Sequence, residues 1–152
     1  MGAKLERVIV ALGVFFIVTI FVLTVMQVLM RYGFGQTFFF TEELARYFLV
    51  WATLAGMAVE TRRNGHIAIP IISDQLPPHF QKALRTILDI FVLLMFMLLV
   101  WLGVKSTIFN HGQESPGMQM PLSIPFVAIP LFFAVATFFV LERLWQRRRS
   151  VP

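Results

Sequence analysis

The chain has 152 residues, 58% of them hydrophobic and 14% charged, with a mean hydropathy of +0.78. Soluble domains hold roughly 45–50% apolar residues, so this composition points to a membrane protein with no length left for a second, soluble domain. Lys and Arg number 13 against 8 Asp and Glu, a formal net charge of +5, but the cations edge the apolar runs, where they set orientation and meet anionic headgroups, not nucleic acid. The absence of Cys excludes disulfides, thiolate metal sites and cysteine nucleophiles.

The first apolar run, Val8 to Met30, is broken only by Gly13, two Thr and Gln27. It matches the ~20 residues that cross a hydrocarbon core and predicts a helix over about 8–30. A signal peptide after Lys4 and Arg7 is the competing reading. It fits less well, because an h-region runs only ~7–15 residues and no small-x-small cleavage pattern follows.

The second run, Leu44 to Val59, spans only if its helix starts near Thr41, giving about 41–60. The Thr41 hydroxyl can cap it while Glu42 and Glu43 face the positive helix end. At ~100° per residue, Ala45, Leu49, Ala52, Gly56 and Val59 share a small-residue face suited to close helix packing. Glu42, Arg46, Thr53 and Glu60 flank that face. Tyr47, Phe48, Trp51, Leu54 and Ala58 lie opposite, toward lipid or a partner subunit.

ETRRNGHIAIPIISDQLPP follows, too broken by Pro and polar residues to span. A short interfacial amphipathic helix within about 67–76 is expected, its isoleucines dipped into the lipid boundary and Asp74 and Gln75 toward water. An ordered loop without helix remains the alternative. The third run, Ile87 to Val104, is preceded by PPHFQKALRT, whose prolines can open a helix over about 79–104. The fourth, Ile124 to Leu141, predicts a helix over about 124–145 with a kink at Pro130.

The expected fold is therefore a single all-α integral membrane domain, residues 1–152, with four transmembrane helices. If the runs alternate, Lys4, Arg7, Arg62, Arg63, Lys82, Arg85, Arg143 and Arg147 to Arg149 share one side. Arg31, Arg46 and Lys105 lie on the other. The positive-inside rule then puts both termini in the cytoplasm.

Ionisable residues inside a membrane are candidates for function, and two fall within the runs. Arg46 has Glu42 at i−4 or Glu43 at i−3, and Asp89 has Arg85 at i−4, so each finds a partner within its own helix. Arg46→Ala is expected to weaken assembly more than Lys105→Ala. His66, His79 and His111 all lie in connections, which disfavours a haem-bearing respiratory anchor. No Ser/His/Asp set, phosphate loop or paired inward carboxylates occur, so an enzyme is not expected. A self-sufficient transporter, such as a small self-assembling exporter, would need polar groups near the midplane or matched broken helices. Their absence argues for a helper whose partner carries the transport site.

Arg31, the Glu42 and Glu43 pair, Arg46, Trp51, Gly56, the Arg62 and Arg63 pair and His66 form a spaced signature, echoed by Leu76 with Pro77, Ser115 with Pro116 and the Ile-Pro steps at 124 and 129. In these residues the chain resembles the DctQ-type small membrane subunit of tripartite ATP-independent periplasmic (TRAP) transporters. It departs from that pattern at Pro70, where an acidic residue is usual. The resemblance implies a sodium-driven secondary transporter of the bacterial inner membrane, importing an organic acid delivered by a periplasmic substrate-binding protein. A large membrane subunit would bind substrate and sodium, and the small subunit, with no cofactor of its own, would widen its scaffold. Glu42, Glu43, Arg46, Trp51, Ala52 and Gly56 are then candidates for subunit and helix packing. Arg62, Arg63, His66, Lys82 and Arg85 are candidates for contact with inner anionic phospholipid headgroups, and Arg31, Gln36 and Glu114 for the periplasmic surface.

Overall fold

A computed structural model describes residues 2–35, 39–63 and 78–149. The expected interfacial segment at 67–76 lies outside the described residues, as do Gln36 and His66 and the side chains of Lys82 and Arg85. Four long helices make up the description: α1 (Gly2–Gly33), α2 (Phe39–Arg62), α3 (Pro78–Phe109) and α4 (Ser123–Arg149), with a short 3-10 turn at Asn110–Gly112. No β-strand occurs among the described residues. α1, α3 and α4 are long and apolar enough to cross a membrane. α2 carries charges in both its first and last turns, and its 24 residues reach about 36 Å at ~1.5 Å per residue.

The helices run past their expected ends. α3 continues to Phe109 because polar side chains in its last turns bond back along the helix: Thr107 Oγ1 donates to the Gly103 carbonyl at 2.8 Å and Asn110 Nδ2 to the Ser106 carbonyl at 2.7 Å. α2 starts at Phe39, which places Thr41 inside the first turn and corrects its expected role as the residue before the helix.

The packing order is α1, α2, α4, α3, a row with α1 and α3 at its edges. α2 and α4 run parallel, and each edge helix is antiparallel to its neighbour. The core is built from Ala55, Ala58, Ala128 and Ala136, whose small side chains let backbones approach, filled in by Phe96, Phe132, Phe139 and Val140. Trp51 of α2 stands edge-on to Phe132 of α4 at 5.9 Å between ring centroids and to Phe16 of α1 at 5.8 Å, while Phe48 stacks on Phe16 at 5.5 Å.

These contacts correct the expected sides of α2. The aromatic half bearing Phe48, Trp51 and Ala58 packs within the chain, whereas Leu49 and Gly56 of the small-residue face are exposed. The physical reason is position in the row: α2 has a neighbour on each flank, so it buries two sides, and Ala52 and Val59 are covered along with Ala55 and Ala58. α3 and α4 come close together at Gly103, where an added Cβ would lie 2.9 Å from both Ile129 Cγ2 and Pro130 Cδ. Pro130 has no N–H to give the Phe126 carbonyl, and its ring sits in the space that the missing side chain of Gly103 leaves.

Candidate functional site

The middle of the row holds alanine, phenylalanine and valine, and polar chemistry collects at the two ends. Among the described residues no three His, Asp or Glu side chains converge as a metal site would need.

At the end where α2 begins, Arg46 donates to Glu42 Oε1 at 2.6 Å across one helical turn. The pair is open to its surroundings, with 72% and 54% of the two side chains exposed. Its neighbour Glu43 turns to a different task. Glu43 Oε2 accepts the backbone N–H groups of Gly117 at 2.9 Å and Met118 at 3.0 Å, while the Tyr47 hydroxyl donates to Oε1. The carboxylate thereby ties the start of α2 to the loop between α3 and α4.

That loop is a short hairpin. Leu122 N–H donates to the Gln113 carbonyl and Ser115 N–H to the Met120 carbonyl, both at 2.9 Å, with Glu114 bridged to Pro121. Gln119 takes a positive φ of 52° at the tip, a left-handed conformation that is uncommon outside Gly and Asn. Ser115 is buried beneath the turn, and Glu114 is exposed on the loop. His111 lies in the 3-10 turn with Nδ1 3.3 Å from the Ser123 hydroxyl.

At the opposite end two ion clusters tie the helices together. Glu6 of α1 forks between Arg62 Nε at 3.1 Å and Arg63 Nε at 2.9 Å. The Arg62 guanidinium also stacks over the Phe139 ring of α4, 5.3 Å from its centroid. Arg143 of α4 donates from Nη1 to Asp89 of α3 at 3.2 Å and from Nη2 to the Thr61 carbonyl in the last turn of α2. Asp89 and Thr61 are buried and Arg143 nearly so. Thr61, Arg62 and Arg63 are consecutive, so the end of α2 meets both α1 and α4, and through Arg143 it is linked to Asp89 of α3.

Sequence reading paired Asp89 with a residue of its own helix and did not foresee Arg143 or Glu6. The signal was available in the register. Asp89 lies fourteen residues before Gly103 and Arg143 thirteen after Pro130, so the antiparallel crossing at Gly103 and Pro130 brings them level. Glu6 lies seven before Gly13 and Arg62 seven after Ala55, and a Cβ on Gly13 would touch Ala55 at 3.8 Å. Glu6→Gln is expected to loosen α1, by about 1 kcal/mol given the part-exposed partners. The check is denaturant unfolding of the purified chain, with Glu142→Gln compared as a second acid at that end.

Of the remaining candidates, Trp51 and Ala52 are engaged within the chain, Gly56 meets open space, and Arg31 is exposed at the end of α1.

Comparison with known proteins gives a concordant set. Residues 20–150 match the family described as tripartite ATP-independent periplasmic transporters, DctQ component. The chain is 32% identical over 135 residues to the ectoine TRAP transporter small permease protein TeaB of Halomonas elongata, covering 88% of this chain and 68% of that protein. It is 23% identical over 157 residues to the C4-dicarboxylate TRAP transporter small permease protein DctQ of Vibrio cholerae, covering 87% and 67%. The isethionate TRAP transporter permease protein DctMQ of Oleidesulfovibrio alaskensis is 29% identical over 106 residues. Those residues are 68% of this chain but 17% of that much longer polypeptide.

Proposed function

We propose, on the premise that this chain belongs to the DctQ component family of tripartite ATP-independent periplasmic transporters, that it is the scaffold subunit of a sodium-driven importer of an organic acid. As a TRAP transporter small permease subunit it is an integral membrane protein and not an enzyme. In the proposed reading, all four helices cross the bacterial inner membrane with both termini cytoplasmic, and a larger permease subunit binds the substrate and the coupling sodium. A periplasmic binding protein delivers the acid. Arg62, Arg63, His66, Lys82 and Arg85 meet inner anionic phospholipids, and residues 67–76 lie along that interface.

The observation that carries this reading is where the charges are spent. Glu6, Arg62, Arg63, Asp89 and Arg143 serve one another at one end, Glu43 serves a loop at the other, and alanine and phenylalanine fill the space between. Such an interior suits a rigid support and offers a carboxylate substrate no polar cradle. The DctMQ relative supports a lasting partnership, since its match to this chain occupies about a sixth of one longer permease polypeptide.

Co-expression with a larger membrane subunit tests the proposal: the two are expected to purify together, and the small chain alone in liposomes to move no acid. The exposed Arg46–Glu42 pair gives a finer check. Within the chain such a pair contributes about 0–1 kcal/mol, so Arg46→Ala is expected to leave the melting of the isolated chain almost unchanged. If a partner covers the pair, the same substitution lowers the yield of complex more than Lys105→Ala does. Equal yields would remove Arg46 from the assembly surface.

A further inference from the structure

We propose that Glu43 is a positioning residue: by holding the 116–119 turn against the first turns of α2, it fixes the α3–α4 loop as the face that a loaded, soluble binding protein meets. This rests on the reading above, in which such a protein delivers the substrate.

The hydrogen bonds point the carboxylate inward to the loop and away from any partner helix. Gly117 and Met118 donate to Oε2 and Tyr47 to Oε1, so both oxygens are committed within the chain. The hairpin is held by three backbone bonds, from Leu122 to Gln113, from Ser115 to Met120 and, across the turn, from Gln119 to Ser115. The Gly117 and Met118 N–H groups lie beyond those bonds, in the turn itself, and Glu43 supplies their acceptor. Anchoring costs the loop its freedom before any partner arrives, which lowers the ordering penalty on binding. What the anchored loop shows outward is mixed: Gln113, Glu114 and Gln119 are exposed beside Pro116 and Met120, with the mixed-sign Glu42 and Arg46 pair near Glu43 on α2. A surface that mixes polar groups with a few apolar ones has the usual make-up of a transient interface with a water-borne protein partner.

The test uses the small chain in complex with its large subunit in liposomes under a sodium gradient, with uptake measured against the concentration of loaded binding protein. Glu43→Gln takes the charge from the acceptor and Gly117→Pro removes one of its two backbone donors, at a position whose φ is not positive. Each is expected to raise the half-saturating concentration roughly tenfold, as loss of hydrogen bonds to a charged group would. The maximal rate and the amount of co-purified large subunit should not change. The double variant should be no worse than either single one, and Lys105→Ala should match the wild type. Wild-type half-saturation in both variants would overturn the proposal. So would a lower yield of complex with unchanged half-saturation in what remains, which would make Glu43 an assembly residue. A wild-type complex that forms but takes up nothing would instead bring down the functional reading beneath it.

Discussion

Arg143→Met is expected to destabilise the purified chain by about 3–5 kcal/mol, the loss typical when one member of a buried ion pair is removed and the other stays behind. Asp89 is fully buried and lies 3.2 Å from Arg143 Nη1, while the other arm of the guanidinium holds the Thr61 carbonyl at the end of α2. The single substitution therefore removes the cation that faces Asp89 between α3 and α4 and also frees an acceptor on α2. Pairing Arg143→Met with Asp89→Leu removes both charges, and the double variant is expected to recover much of the loss. Arg143→Lys should fall between, because an ammonium keeps the charge but lacks the planar fork that serves two acceptors at once. Unfolding in mixed micelles across the four proteins of the cycle measures this directly. A double variant as unstable as Arg143→Met alone would mean that the pair itself matters less than the carbonyl it caps.

Gly103→Leu is expected to cost about 1–3 kcal/mol by overpacking, and to act on one interface only, that of α3 with α4. The added Cβ alone would sit 2.9 Å from Pro130 Cδ and 3.0 Å from its backbone nitrogen, neither of which can rotate away. Gly103→Ala brings the same Cβ but also about 1 kcal/mol of helix propensity, so its net effect should be smaller. Gly56→Leu is the contrasting case, because a Cβ there meets open space and the isolated chain should tolerate it. Melting temperatures of the three variants in detergent would separate them. Equal loss for Gly56→Leu and Gly103→Leu would contradict the close approach at Pro130.

The helices were readable because each apolar run is long and bounded by charge, Pro or Gly, signals that need no knowledge of neighbours. The sides of α2 were not. A period of 3.6 says that Leu49, Ala52 and Gly56 share a face, but which face is covered depends on where α1 and α4 stand, and α2 turned out to lie between them. The charges divide in the same manner. Arg46 with Glu42 is local and follows from spacing. Glu6 with Arg62 and Asp89 with Arg143 are joined only by the register of antiparallel crossings, which glycine positions hint at but do not announce. Glu42 and Glu43 are chemically identical neighbours. The 100° between them sends one toward Arg46 and the other to a loop more than seventy residues away.

In the proposed function this chain supports a transport site carried by another. Uptake in liposomes is the direct measurement, comparing the small chain alone, the large subunit alone and the two together, each with loaded binding protein and a sodium gradient. Sodium-dependent uptake only when both subunits are present, with the pair purifying as one complex, is the expected result. Uptake by the small chain alone, or full uptake by the large subunit without it, would contradict that function.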